Sequence, residues 1–215
     1  MARPTNANAE ETRARILNVA SELFARNGED GVSVRTIARE SGLSVAMVNH
    51  YFGSKHGLYE ACIDQMYIEL DRLRTSGPFA PGMATVQQWR PVLMMVLHVS
   101  RAHRHTVTLL LRQVLDHGAV DPERFARDVL PSLNAVVDVL EAHSHLTGPD
   151  LRFAVQGVVH ALTRFSLASF NELRAILDMP DASDDAVFNA TSEHFAQFAI
   201  RCLGLPADTQ PATQH

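Results

Sequence analysis

Two short apolar-faced segments on either side of Gly42 constrain this chain more than any other feature. Val34 to Ser41 places Val34, Ile37 and Ala38 at i, i+3 and i+4, one buried face of a short helix that Ser33 can cap. Gly42 then supplies the positive φ that a tight helix end needs, and Leu43 follows as an apolar plug. Ser44 is a second N-cap, and Val48 and Phe52 form the inward face of the helix it opens. Two helices joined by a glycine-containing turn of this length form a helix-turn-helix, whose second helix fits the major groove of DNA. The pattern leaves Val45, Ala46, Met47, Asn49 and His50 facing outward. Small apolar groups can touch a thymine methyl, and Asn can bond an adenine edge twice. Ser33, Arg35 and Thr36, at the start of the first helix, complete the candidate DNA-facing set.

Ser54 caps a further helix that starts at Lys55, the only lysine in the chain. A helix N-terminus with a cation beside it suits a phosphate. Two short helices and a glycine turn also occur in ordinary helical proteins, and a core aromatic with its hydroxyl at the surface is the other reading of Tyr51. The helix before the motif strengthens the DNA-binding reading, because Ile16, Ala20, Leu23 and Phe24 give it one apolar face.

From about Thr12 to Leu58 the chain resembles the DNA-binding domain of the tetracycline-repressor (TetR) family. The matching pieces, in order, are Arg15 to Gly28, Val34 to Ala38, Gly42 to Ser44, Tyr51 to Lys55, and Leu58. The resemblance implies that Ser44, Tyr51 and Lys55 meet phosphates and that the exposed positions of the second helix read bases. It also implies an all-α fold: an N-terminal three-helix domain followed by a helical bundle that dimerises and holds a small molecule. Asn49 stands where many members carry Tyr, which bears on the sequence of the operator.

The charge balance fits a few aimed contacts better than a broad basic patch. The chain is acidic overall, at -5. Residues 1–56 hold 7 Lys and Arg against 6 Asp and Glu, and the remainder holds 12 against 18. The acidic excess therefore lies outside the candidate DNA-binding part, and phosphate contacts must be few and placed. Cys62 and Cys202 have neither zinc spacing nor a disulfide framework, which fits a reducing cytoplasm. No N-terminal run reads as a signal peptide, and no apolar stretch is long enough to span a bilayer. No cofactor, metal or membrane partner is expected.

Along the chain, residues 1–9 read as a loose arm, 10–54 as the helix-turn-helix domain, 55–205 as the helical ligand-binding and dimerisation part, and 206–215 as a tail. Thr75 to Gly82 is a breaker rich in Gly and Pro. Helical periods follow at about 85–103 and 105–117, then one opened by Asp121 and Pro122 that Pro131 should kink, then 148–177 and 184–203. That makes about nine helices. The last two are apolar around most of their girth, so each needs cover on two sides. The resemblance makes them a four-helix dimer interface, with Phe153, Val158, Leu162, Phe195 and Phe198 as candidate contacts. A central helix pair within a monomer is the other reading.

The middle helices carry apolar and polar groups suited to a small-molecule pocket: Trp89, Met94, His98, Gln113, Phe125, His160 and Phe165. Ordinary core packing accounts for any one of them equally. His98, Arg101, His103, Arg104 and His105 form a dense cluster, read as a solvated helix end. The expected function is a cytoplasmic, homodimeric repressor released from a palindromic double-stranded operator by a small, largely apolar effector. A regulator without a ligand, or an activator, shares the same sequence features. A small helical enzyme would lack any nucleophile, metal or phosphate-loop motif.

Overall fold

The computed structural model describes residues 5–76, 89–118, 120 and 122–206. The expected arm at residues 1–4, the breaker from residue 77, the helix start at 85, the cap at Asp121 and the tail from 207 lie outside the described residues.

All regular structure among the described residues is helical: α1 (Thr5–Asn27), α2 (Val34–Glu40), α3 (Val45–Phe52), α4 (Lys55–Ser76), α5 (Trp89–Ala102), α6 (Arg104–His117), a single turn α7 (Pro122–Arg124), a π-type turn (Phe125–Val129), α8 (Leu130–Glu141), α9 (Gly148–Leu167), α10 (Phe170–Leu177) and α11 (Asp184–Cys202). Counting residues 122–141 as one irregular helix gives ten, one more than expected. α1 begins at Thr5, five residues before the expected start, so residues 5–9 are helix and not a loose arm.

The chain divides into two compact units. The first holds residues 1–71 and 105–121; the second holds 72–104 and 122–215. In the first, Ile16, Phe24, Ile37, Val48, Leu58 and Ile63 meet in a core with almost no exposure. α6 belongs to this unit, and two adjacent side chains bind it in. Arg112 donates to the carbonyls of Ala25 (3.4 Å) and Arg26 (3.2 Å), two of the C-terminal oxygens that α1 cannot bond internally. Gln113 accepts the Tyr67 hydroxyl of α4 at 2.9 Å, in the interior. Gly28, at φ +72, lets Arg112 approach, since a Cβ there would lie 3.3 Å from its Nη1.

The second unit is built around α5, which packs against α9 and α11. Its core includes Trp89, Leu93, Leu97, Leu140, Leu151, Val155, Leu173, Phe195 and Ala199. Pro131 acts as expected, but the break takes the form of a wide turn. Proline has no N–H to return to the carbonyl four residues back, and the Leu130 N–H reaches Phe125 O instead.

The expected helix 148–177 is two helices, and this corrects the sequence reading. Ala168 leaves helical geometry at ψ 138, and Ser169 (φ -69, ψ 155) caps α10 by accepting from the Glu172 N–H at 3.2 Å. The signal was present as Ser169-Phe-Asn-Glu172, the S-x-x-E pattern of a helix start.

Arg101 anchors this break and so departs from the solvated helix end expected of its cluster, while His98 and Arg104 of that cluster are exposed. The Arg101 guanidinium donates to Ser166 O (3.2 Å) and Ala168 O (2.9 Å). It also lies over the rings of Phe170 (4.2 Å) and Phe188 (4.9 Å). Burial lowers its pKa from the usual arginine value; Arg104 adds to the effect and Asp184 opposes it.

Candidate nucleic-acid interface

The helix-turn-helix is held by backbone geometry that its residue types dictate. Gly42 sits at φ +67, its N–H bonds Arg39 O at 3.0 Å, and the Leu43 N–H bonds Ala38 O at 2.9 Å. These two bonds are the double closure of a Schellman end, which fixes the direction in which the chain enters α3. Ser33 accepts from the Thr36 N–H and Ser44 from the Met47 N–H, each at 3.1 Å. The cap oxygens of both helices are thus occupied within the chain, as is that of Ser54, which accepts from Gly57 N–H at 3.0 Å.

α3 buries Val48 at 1 % exposure and leaves Val45 and Met47 at 39 % and 41 %. Ala46, Asn49 and His50 are exposed as well, and Tyr51 is half-buried with its ring edge-on to His50 at 5.6 Å. An eight-residue helix therefore shows one contiguous face of small, apolar and amide side chains. Arg35 is exposed and Thr36 half-buried on α2, with the Thr36 hydroxyl 2.9 Å from Ser33 Oγ.

Lys55 is placed differently from the sequence reading. Its ammonium donates to Glu29 O at 2.9 Å and lies 3.9 Å from an Asp30 carboxylate oxygen. Next to it, His56 Nδ1 lies 3.2 Å from Glu29 Oε1. Residues 55 and 56 thus tie the start of α4 to the turn after α1. An ammonium has three donors, so the Glu29 bond commits one of them. Arg13 was not singled out in the sequence. Its guanidinium stacks over Phe52, the last residue of α3, at 5.3 Å from the ring centre.

Behind this face Tyr59 and Cys62 are buried. Burial pushes the Cys62 thiol up to about 12, opposed by Ser21 and Arg13. Burial, with Asp116, Glu29 and Glu60 adding to it, pushes the Tyr59 hydroxyl up to about 12 against the pull of Arg112.

The candidate ligand residues do not come together. Trp89, Met94 and His98 share α5. Trp89 is buried edge-on to His143, Met94 packs on the core, and His98 rests on the Phe188 ring with Nε2 3.2 Å from Ser192 Oγ. Gln113 belongs to the other unit and is bonded to Tyr67. Phe125 lies exposed on the π-type turn, and His160 is exposed with Nδ1 on the Gln156 carbonyl. Phe165 lines a separate groove of about 210 Å³ with Leu173, Ile176, Leu177, Thr191, His194, Phe195 and Phe198. Of the candidate dimer residues, Phe195 and Phe198 share that groove. Phe153 stands 83 % exposed, Val158 is buried and Leu162 half-buried.

Among the described residues no helix is long and apolar enough to cross a membrane. Residues 16–62 match the family model described as bacterial regulatory proteins, tetR family. The chain is similar to the HTH-type transcriptional regulatory protein RaaS of Mycobacterium tuberculosis, 28% identical over 182 residues, which are 74% of this chain and 84% of that one. It is also similar to the HTH-type transcriptional regulator SrpR of Pseudomonas putida, 30% identical over 59% of this chain and 58% of that one. In fold it is similar to a TetR-like transcriptional regulator from Rhodococcus, with a TM-score of 0.61, 23% identity, and 88% and 96% of the two chains covered. The capped, glycine-turned helix pair with its outward face lies within the segment that matches the tetR family model, and the chain's likeness to HTH-type regulators fits a DNA-binding transcriptional regulator similar to the TetR family.

Proposed function

We propose that the protein is a cytoplasmic, homodimeric and non-catalytic repressor that binds a palindromic operator through α3 and leaves it when a small, largely apolar effector binds. The observation that carries the reading is the face of α3. Val45, Ala46, Met47, Asn49 and His50 are outward and Val48 is inward, so the side chains offered to a groove are those that read thymine methyls and adenine edges. Ser44, Tyr51 and Lys55 flank that face as phosphate contacts, with Ser33, Arg35 and Thr36 approaching from α2. Two copies would place recognition helices about 34–36 Å apart, one turn of DNA. The apolar groove between α9, α10 and α11 and the exposed Phe198 support cover by a second copy.

The test is selection of bound duplexes from a random pool, followed by three variants on the selected operator. Tyr51→Ala and Lys55→Ala should weaken binding to all duplexes alike, while Asn49→Ala should change the preferred base. Equal operator affinity of all three variants and wild type would refute the assigned face. The scatter of the candidate ligand residues favours a second reading, a regulator that answers only to its own concentration. Melting-temperature shifts across a metabolite collection separate the two.

A further inference from the structure

Four of the seven described arginines and lysines of the first unit have a partner within the protein. Arg26 pairs with Glu22 at 3.7 Å and Arg39 with Glu40 at 2.9 Å. Lys55 is on the Glu29 carbonyl, and Arg112 is on the carbonyls of Ala25 and Arg26. Arg13 is different. It is exposed on α1, and among the described residues its guanidinium meets no carboxylate and no carbonyl. It is also not left to wander, because its guanidinium carbon lies over the Phe52 ring, 5.3 Å from the centre. Stacking occupies the flat face of a guanidinium and leaves its N–H edges free.

Phe52 closes α3 and directly follows Tyr51, a proposed phosphate contact. The ring therefore holds a fixed charge beside the C-terminal end of the recognition helix, with its rotamer freedom already restricted. A bidentate acceptor such as a phosphate matches those free edges. The local charge balance adds a reason: a face with few cations needs each one aimed.

We infer that Arg13 is a phosphate-binding residue of the DNA interface, pre-positioned by Phe52. The inference rests on the proposed docking of α3 and adds a contact from α1 to it.

The experiment is operator binding by fluorescence anisotropy across a salt series, using the full chain and the duplex selected by wild type. Arg13→Gln should bind operator and scrambled duplex more weakly by the same factor. The slope of log affinity against log salt should become shallower by about 0.9 per subunit, one phosphate's worth of counterions. Between about 50 and 200 mM salt, the wild-type advantage over Arg13→Gln should then shrink roughly 3.5-fold per subunit. Arg13→Lys keeps the charge and should keep the wild-type slope, which a merely structural role would not predict. An unchanged slope in Arg13→Gln, with wild type binding normally, would overturn this inference alone. Failure of wild type to select any duplex would overturn the docking of α3 and this contact with it.

Discussion

Arg101→Ala should destabilise the second unit by about 3 kcal/mol. The side chain makes two charged hydrogen bonds, to the carbonyls of Ser166 and Ala168, and both of those residues are almost fully buried. A hydrogen bond to a charged group contributes about 1.5–3 kcal/mol, and each ring contact about 0.5–1 kcal/mol. The gross figure is therefore about 4–8 kcal/mol, and it is discounted because Arg101 is only half-buried and its charge is partly screened. A loss of about 3 kcal/mol corresponds to a melting point lower by about 6–12 °C. The assay is urea unfolding followed by the fluorescence of Trp89, the single tryptophan, which is 2 % exposed in the same unit. Arg101→Lys should recover less than half of the loss, since an ammonium lacks the planar group that lies over the Phe170 and Phe188 rings. An Arg101→Ala midpoint within about 0.5 kcal/mol of wild type would refute the reasoning, because surface changes fall in that range.

Gly42→Ala should cost about 1–2 kcal/mol, all of it from forcing φ +67 on a residue with a Cβ, since nothing lies within 4 Å of that Cβ. Gly42→Asn should cost less, and thermal melts showing the two equal would refute this. Tyr67→Phe should cost about 1–2 kcal/mol by stranding the buried Gln113 oxygen, read as a lower urea midpoint. Tyr59 and Cys62 both hold their protons more tightly folded than unfolded, at about 12 against ordinary values of 10.0 and 9.0. Their share of stability is therefore complete below the ordinary values and drains away as pH rises from there toward about 12. Unfolding midpoints across that range should fall less steeply in Tyr59→Phe than in wild type.

The parts of this fold that were legible in the sequence are those set by local chemistry. Ser33, Gly42, Ser44 and Ser183 each cap or close a helix as their residue types require. The outward set on α3 followed from period alone. What was not legible depends on partners distant in sequence. Lys55 was read only as a cation at a helix start, and its bond to the Glu29 carbonyl depends on a turn 26 residues earlier. Arg101 looked solvated within a polar cluster until two rings and two carbonyls from other helices met it. The placement of α6 with the N-terminal helices is equally non-local, being made by contacts across more than 80 positions. The break at Ser169 could have been found, because its four-residue start signal was overlooked inside a long apolar run.

The paired grip of Arg112 and Gln113 bears on how the protein can be cut. A fragment ending after α4 would keep the recognition helix and every residue that matches the family model. It would also strip Ala25, Arg26 and Tyr67 of the groups that α6 lends them. The first compact unit is thus discontinuous in sequence, and a truncation after α4 should lose the stability that α6 contributes.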